Sequence, residues 1–402
     1  MNLSLFRHEF KVMYKSKKNL LFVLFLSALL VSYCFVILPN DQTTDSFDPE
    51  KVIQELEELA AEQAAIEDRG ATGFGLYTGL AYYAMNDAYY NLHTKMVTAF
   101  EDKDFTRFLH LRSYSVQNHL SNFHEDQIEA FLESPFPGKD RSHHFHKTIM
   151  RYQSYLDMDA PISYAMIEQK TALQTLLNIV SSNVIYLILF CAIYFSSDII
   201  LRDKDNRTIL QGLPLSWFRL MNIKTLAVYL YTVLVLLILI ILGIIMISLQ
   251  NGLGFINIQI PVMIAQRDFS MNDYGTISYF SFMMKVMCLV LIIIYLFIRL
   301  NTLLSLIFKN QVIVLMVSTF VLFSESIYFS RRTRELFGIE INKFPQTYFE
   351  FGKVVSGDKN FLVNLETITF ENGITVLLST ILIIEIVLYV VSRVVNKRRF
   401  YK

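Results

Sequence analysis

The 402-residue sequence predicts an all-α polytopic membrane protein. Six transmembrane helices are expected, with an N-terminal interfacial helix and a large, mostly helical extracellular domain between spans one and two. Three observations lead there. Hydrophobic residues make up 53% of the chain against 18% charged. The apolar residues are gathered into six runs, each near the roughly 20 residues that one helical crossing requires. The basic residues collect at three places that six crossings put on one face. Acids and bases balance at 36 each, so no charge excess points to nucleic acid as a partner.

Residues 1–18 form the first element. Leu3, Phe6, Phe10 and Met13 recur at three/four spacing, and Arg7, Lys11, Lys15 and Lys18 occupy another stripe. That pattern predicts an amphipathic helix in the headgroup layer, basic face toward anionic lipid. A plain positive flank to the first span is the simpler alternative. Span one, 19–38, carries no charge. Its apolar core is too long for a cleaved signal and no small-x-small site follows, so it reads as a retained helix.

Residues 39–172 read as a separate domain, with 22 acids against 11 bases and length enough to own a core. Val52, Leu56, Leu59 and Ile66 mark an amphipathic helix that "GATGFG" (70–75) breaks. A tyrosine-rich helix follows over 76–100. "ESPFPGKDRSHH" (133–144) reads as a loop, and residues 162–201 as one long helix entering span two. No cysteine lies in this domain; Cys34, Cys191 and Cys288 all fall in predicted spans.

Span two covers 173–200, and a polar strip, 201–224, joins it to span three, 225–249. An outer loop (250–276) leads to span four, 277–307. Span five, 312–330, is followed by an outer loop at 331–371, part re-entrant or surface-lying. Span six is 372–394, with a tail at 395–402. Lysines and arginines near span ends mark the cytoplasmic side. They cluster in the N-terminal helix, in the strip (Arg202, Lys204, Arg207, Arg219, Lys224) and in the tail (Arg393, Lys397, Arg398, Arg399, Lys402). Both termini are therefore expected in the cytoplasm of a plasma-membrane protein, with 39–172 outside. Arg331, Arg332 and Arg334 dissent, but their loop balances six bases with six acids.

Motifs for chemistry are few. "GKVVSGDK" (352–359) misses the phosphate loop because Asp358 stands where its lysine must reach the phosphates. "HHFH" (His143, His144, His146) could ligate a metal through neutral imidazoles, but a solvated loop is the plainer reading, and no metal site is assigned. No arrangement for a hydrolase or protease is present, so an enzyme is disfavoured.

Charges inside spans are costly and draw attention to function. Lys285 and Glu325 are expected as one pair, and Arg299 with Glu385 as another; snorkelling or structural pairing accounts for either. Asp198 sits where it can reach water. Two polar clusters, Asn178, Ser181, Ser182 and Asn183 in span two and Ser318, Thr319 and Glu325 in span five, either line a translocation path or bind helices together.

The strip itself, "SSDIILRDKDNRTILQGLPLSWFRLMNIK" (196–224), has Ile209, Leu210 and Leu213 at helical spacing and a Gly-Leu-Pro break, with Trp217 suited to an interface. It reads as a short surface helix for docking. It resembles the signature of type-2 ABC transporter permeases. The matching features are an acid closing span two (Asp198), an Arg-Thr pair (Arg207, Thr208), a Leu-Pro-x-Ser turn (Leu213, Pro214, Ser216) and a lysine before span three (Lys224). Asp198 departs from the family's more usual glutamate. The resemblance implies a permease subunit that pairs with a second permease, the same or related, and with separate ATPase subunits. ATP and Mg²⁺ would be held in those partners, with no cofactor in this chain. Asp203, Asp205, Arg207, Thr208, Leu210, Leu213 and Pro214 would then dock the ATPase, and spans one, two and five would build the path. The function so implied is export of a hydrophobic or amphipathic peptide, drug or lipid. A sensor or immunity-type binding protein with an extracellular capture domain is the alternative.

Overall fold

The computed structural model describes residues 3–43, 46–74, 81–118, 131, 133–202, 216–268, 270–395 and 400. The chain forms two compact units: residues 1–39, 175–253 and 280–402 make the first, and 40–174 with 254–279 the second.

Helix α1 (Leu3–Lys15) is the predicted amphipathic segment, with Met13 and Glu9 buried. The Asn19 side-chain amide donates to the Met13 carbonyl at 3.0 Å, satisfying an end group that no helical partner reaches. Ser16 is extended and separates α1 from α2 (Lys17–Ser32). A π-helical turn, Tyr33–Ile37, carries α2 on to Asn40, giving a 24-residue run with an 18-residue stretch of mean hydropathy 2.8.

The second unit begins with α3 (Pro49–Asp68). The Asp48 carboxylate accepts from the Glu50 and Lys51 amides at 3.1 and 3.4 Å, and Pro49 takes the first helical position, where no N–H is needed. The periodic Val52 and Leu56 are buried. The tyrosine-rich segment forms α4 (Tyr82–Glu101). Asp104 caps α5 (Phe105–Gln117) by accepting from the Arg107 amide at 3.0 Å. The loop expected over 133–144 is instead the start of α6 (Pro137–Leu156). Pro137 opens that helix and Asp140 sits in its first turn, so a Pro-Gly pair that looked like a break is a helix-start signal. Phe47, Leu92, Met96, Phe108, Ile149 and Tyr152 are among the core residues these helices share. Arg112 is buried there, donating to the Tyr152 hydroxyl at 2.7 Å, its guanidinium 5.6 Å from the Phe47 ring centroid.

The single helix expected over 162–201 is broken. Gln169, at φ 57°, ends a short turn. Helices α7 (Ala172–Ser181) and α8 (Ile185–Ser196) then meet at a bend of 71°. Ser182 supports that break: its hydroxyl donates to the Ile179 carbonyl at 3.0 Å and accepts from the Val184 amide at 3.3 Å. Helix α9 (Trp217–Asn251) follows, 35 residues with an 18-residue stretch of mean hydropathy 3.2.

The irregular loop expected over 250–276 contains strand β1 (Gln259–Met263), paired antiparallel with β2 (Tyr274–Ser278) so that Ile260 faces Ile277. Two strands alone are marginal in water. These lean on α6, where the Ser154 hydroxyl donates to the Gln259 carbonyl and accepts from its amide, both at 3.1 Å.

Helix α10 (Tyr279–Phe308) is again long and apolar, with an 18-residue stretch of mean hydropathy 2.5. Helix α11 (Gln311–Phe323) is capped by Asn310, whose side-chain oxygen accepts from the Val312 amide at 2.9 Å. Its 13 residues span about 20 Å, less than the hydrocarbon thickness of about 30 Å, and a helical turn at Glu325–Tyr328 follows. The segment beyond holds a short hairpin, β3 (Glu335–Leu336) and β4 (Ile339–Glu340), then α12 (Phe351–Val355) and α13 (Asp358–Val363). Helix α14 (Phe370–Val394) is the last long helix, with an 18-residue stretch of mean hydropathy 2.6.

The result is a predominantly helical, membrane-embedded architecture. Among the described residues, four helical runs are long and apolar enough to cross a bilayer, and five if the bent stretch through α7 and α8 counts as one crossing.

Candidate functional site

Three side-chain clusters in the first unit gather the residues that sequence reasoning singled out, together with partners it missed. The first flanks the polar strip. Asp203, Asp205, Arg207, Thr208, Leu210, Leu213 and Pro214 lie outside the described residues, but both flanks are described. Asp198 takes an ion pair from Lys18 at 3.4 Å rather than only reaching water, and the Lys18 ammonium also donates to the Ser197 hydroxyl at 2.9 Å. Glu9 on α1 reaches both ends of the strip: Lys224 on α9 at 2.8 Å and Arg202, at its start, at 3.4 Å. Glu9 and Lys224 are buried. Trp217 is also buried, its ring 5.5 Å from that of Phe400. Glu9 was legible only as an oddity, the one acid in a basic helix; its buried side follows from lying one turn before Met13.

The second cluster lies within the bundle. Arg299, buried on α10, pairs with Glu385 on α14 as the sequence predicts. It also donates to Asn222 and Thr225 on α9 at 3.0 and 3.2 Å, and the Tyr295 hydroxyl donates to Glu385 at 3.0 Å. Two turns' worth of neighbours thus join three helices. Asn301, not anticipated, donates to the Ser196 hydroxyl at 2.6 Å and the Ile193 carbonyl at 2.9 Å, and accepts from Ser318. Ser318 is therefore part of the seam between α8, α10 and α11, while Thr319 is half-buried beside it.

The third cluster corrects a predicted pair. Lys285 lies 5.5 Å over the Phe370 ring, and Glu325 pairs instead with Lys359 at 2.7 Å. Lys359 also holds Glu350 at 2.6 Å, and Glu350 takes Lys353 at 2.7 Å. Lys359 is 1% exposed, with its ammonium 4.5 Å from the Phe329 ring centroid. Two acids and two bases leave the group neutral, the condition for burying charge. Burial works against the Glu350 carboxylate, but Lys359 and Lys353 prevail and hold its pKa below the usual carboxylate value. Lys353 and Lys359 are the lysines of the failed phosphate-loop match; their pairing is the local reason that segment is charged.

Asn178 and Ser181 lie in the last turn of α7, and Ser182 and Asn183 in the break between α7 and α8. Asn183 is exposed and the other three half-buried. Helix α12 presses on this break. A Cβ added to Gly352 would lie 2.0 Å from the Val180 carbonyl oxygen, so the backbones meet where only glycine fits. Tyr186 in the first turn of α8 stacks on Phe323 at 5.3 Å between centroids. In a membrane, broken helical backbone persists only where protein or a watered cavity surrounds it.

The histidines lie on α6, not in a loop. The His143 Nδ1 is 2.8 Å from the Tyr274 hydroxyl, and His144 lies 3.5 Å from the Thr148 hydroxyl. Among the described residues no group of three or more histidine, cysteine or acidic side chains could hold a metal ion.

No protein-family model, curated protein or solved structure matches the chain.

Proposed function

We propose that the chain is the membrane-spanning permease subunit of an ATP-driven exporter, coupled to a separate ATPase and paired with a second permease. The observation that carries the reading is the grip of Glu9 on both flanks of the polar strip, through Arg202 and Lys224. A docking helix that transmits force needs stiff anchors on each side. Here one buried carboxylate ties both to the interfacial helix α1.

In this reading the bundle crosses six times. The stretch through α7 and α8 forms span two and α11 with its following turn forms span five. Both termini and the strip face the cytoplasm and 39–172 faces outside. ATP binding by the partner would favour one of two bundle arrangements, and the strip would carry that preference inward. The broken, polar α7–α8 junction beside α11 supports a path built there, for a hydrophobic or amphipathic peptide, drug or lipid.

The test is co-purification with an ATPase partner and substrate-stimulated ATP hydrolysis by the complex. Charge reversal at Asp203, Asp205 and Arg207 is expected to abolish ATPase association. Intact association and transport in that variant sinks the docking assignment. Labels placed at Phe100 and Leu210 should react from opposite sides of the bilayer. A sensor reading is favoured by one feature, the self-sufficient core of the second unit; it predicts ligand capture with no ATPase partner.

A further inference from the structure

The short hairpin β3–β4 carries an aromatic ring where turn chemistry argues against one. Leu336 pairs with Ile339, so Phe337 and Gly338 form a two-residue turn, and both have positive φ, 54° and 75°. Such turns favour Asn or Asp before Gly, because a bulky side chain in the left-handed region is strained. Phe337 is nevertheless there, and it is 94% exposed, so no packing within the chain offsets the strain. Ile339, beside it on β4, is 48% exposed. Strands of two residues are also marginal in water without an apolar surface to lean on. A local rule broken with no compensation inside the fold points to something outside it.

The root of the hairpin lies at the edge of the apolar bundle. The Asn342 amide donates to the Thr367 hydroxyl at 2.8 Å, three residues before α14 begins. The Tyr348 hydroxyl donates to the Asn342 carbonyl at 2.7 Å, and its ring leaves no room for a Cβ at Gly373 in the first turn of α14. From Asn342 back to Phe337 the chain can span at most about 18 Å. On the other side, Val312, Met316, Phe320, Phe323 and Ile327 form one exposed stripe along α11 and its following turn. The apolar layer therefore reaches within a few turns of chain of the hairpin from both sides. Arg331, Arg332, Arg334 and Lys343 flank the hairpin against Glu335 and Glu340, leaving its base positive. Aromatic rings and basic side chains together suit the headgroup layer, the ring at the acyl boundary and the charge on phosphate.

We propose that the β3–β4 hairpin is a membrane-inserting tip. The Phe337 ring enters the headgroup–acyl boundary of the adjacent leaflet, and the flanking arginines meet lipid phosphates. The inference goes beyond the transport reading, since it requires only that the bundle be membrane-embedded.

The experiment uses the full chain with Trp217→Phe, so that an added indole is the only one. Phe337→Trp is reconstituted in nanodiscs of phosphatidylcholine brominated on the upper acyl chain, and its emission is compared with that in unbrominated lipid. Leu382→Trp, at a position 61% exposed on α14, sets the loss for full lipid contact. Phe337→Trp is expected to lose emission within about twofold of that reference and to be shielded from aqueous iodide. Should the turn not tolerate the larger ring, Ile339→Trp carries the same expectation from β4. Emission indifferent to bromine overturns the proposal: with full iodide quenching the tip stands in water, and with iodide shielding a second copy of the chain covers it. Failure to recruit an ATPase would sink the transport reading and leave this result standing.

Discussion

The Lys359 ammonium lies 2.7 Å from the Glu325 carboxylate, and both groups are buried. Glu325 opens the helical turn after the short apolar helix α11, and Lys359 lies in the first turn of α13, so the pair pins two distant stretches together. Removing one partner of a buried pair leaves a charge in low dielectric, whereas removing both need not. Lys359→Met is expected to destabilise the protein by about 3–5 kcal/mol. Lys359→Met/Glu325→Gln should recover part of that loss. Thermal unfolding in detergent checks both; equal midpoints for Lys359→Met and the parent would show the pair to be dispensable.

Gly352→Ala tests the packing of α12 on the α7–α8 break. The new methyl would meet the Val180 carbonyl oxygen at 2.0 Å, against backbone that has no rotamer to yield. Overpacking of this kind costs about 1–3 kcal/mol. The measurement is the melting temperature, with faster proteolysis near residue 180 as the local signature.

Glu9→Gln tests the anchor of the strip. Lys224 is 2% exposed, so losing the carboxylate beside it is expected to cost about 3–5 kcal/mol. Adding Lys224→Met should return stability without restoring the tie to Arg202. In the transport reading the ATPase still associates with the double variant, but substrate no longer stimulates hydrolysis. Full stimulation in that variant removes Glu9 from the coupling route.

His146 should make the second unit sensitive to acid. Burial holds its pKa below the usual imidazole value and the nearby His143 lowers it further, while Asp273 works in the opposite sense. The folded state therefore prefers neutral His146. As pH falls through about 6.5 the unfolded chain takes up the proton first, and stability drops until the folded ring also protonates. The loss in melting temperature between about pH 7.5 and 5.5 is expected to shrink in His146→Asn. An unchanged loss would assign the acid sensitivity to other groups.

What could be read in advance follows the physics of each signal. Helices α9, α10 and α14 were legible because hydropathy over a long window is insensitive to neighbours. Arg299 with Glu385 was legible because each was the other's one candidate at its depth. The bend at Ser182–Val184 was not, because hydropathy measures how apolar a run is and carries no direction. The β1–β2 pair escaped notice because Pro261 argues against a strand, although an edge position tolerates it. Lys285 was preferred to Lys359 for Glu325 because sequence proximity to a span end stands in poorly for tertiary contact.

The second unit takes its fabric from two stretches of chain. Ile258 and Ile260, both buried, arrive with the later stretch and complete a surface begun more than a hundred residues earlier. Cutting out 40–174 as a water-soluble fragment would strip that cladding and invite aggregation. A faithful excised version must graft Gly254–Tyr279 back through a linker, and antibodies raised on the shorter piece would recognise a face the intact protein keeps covered.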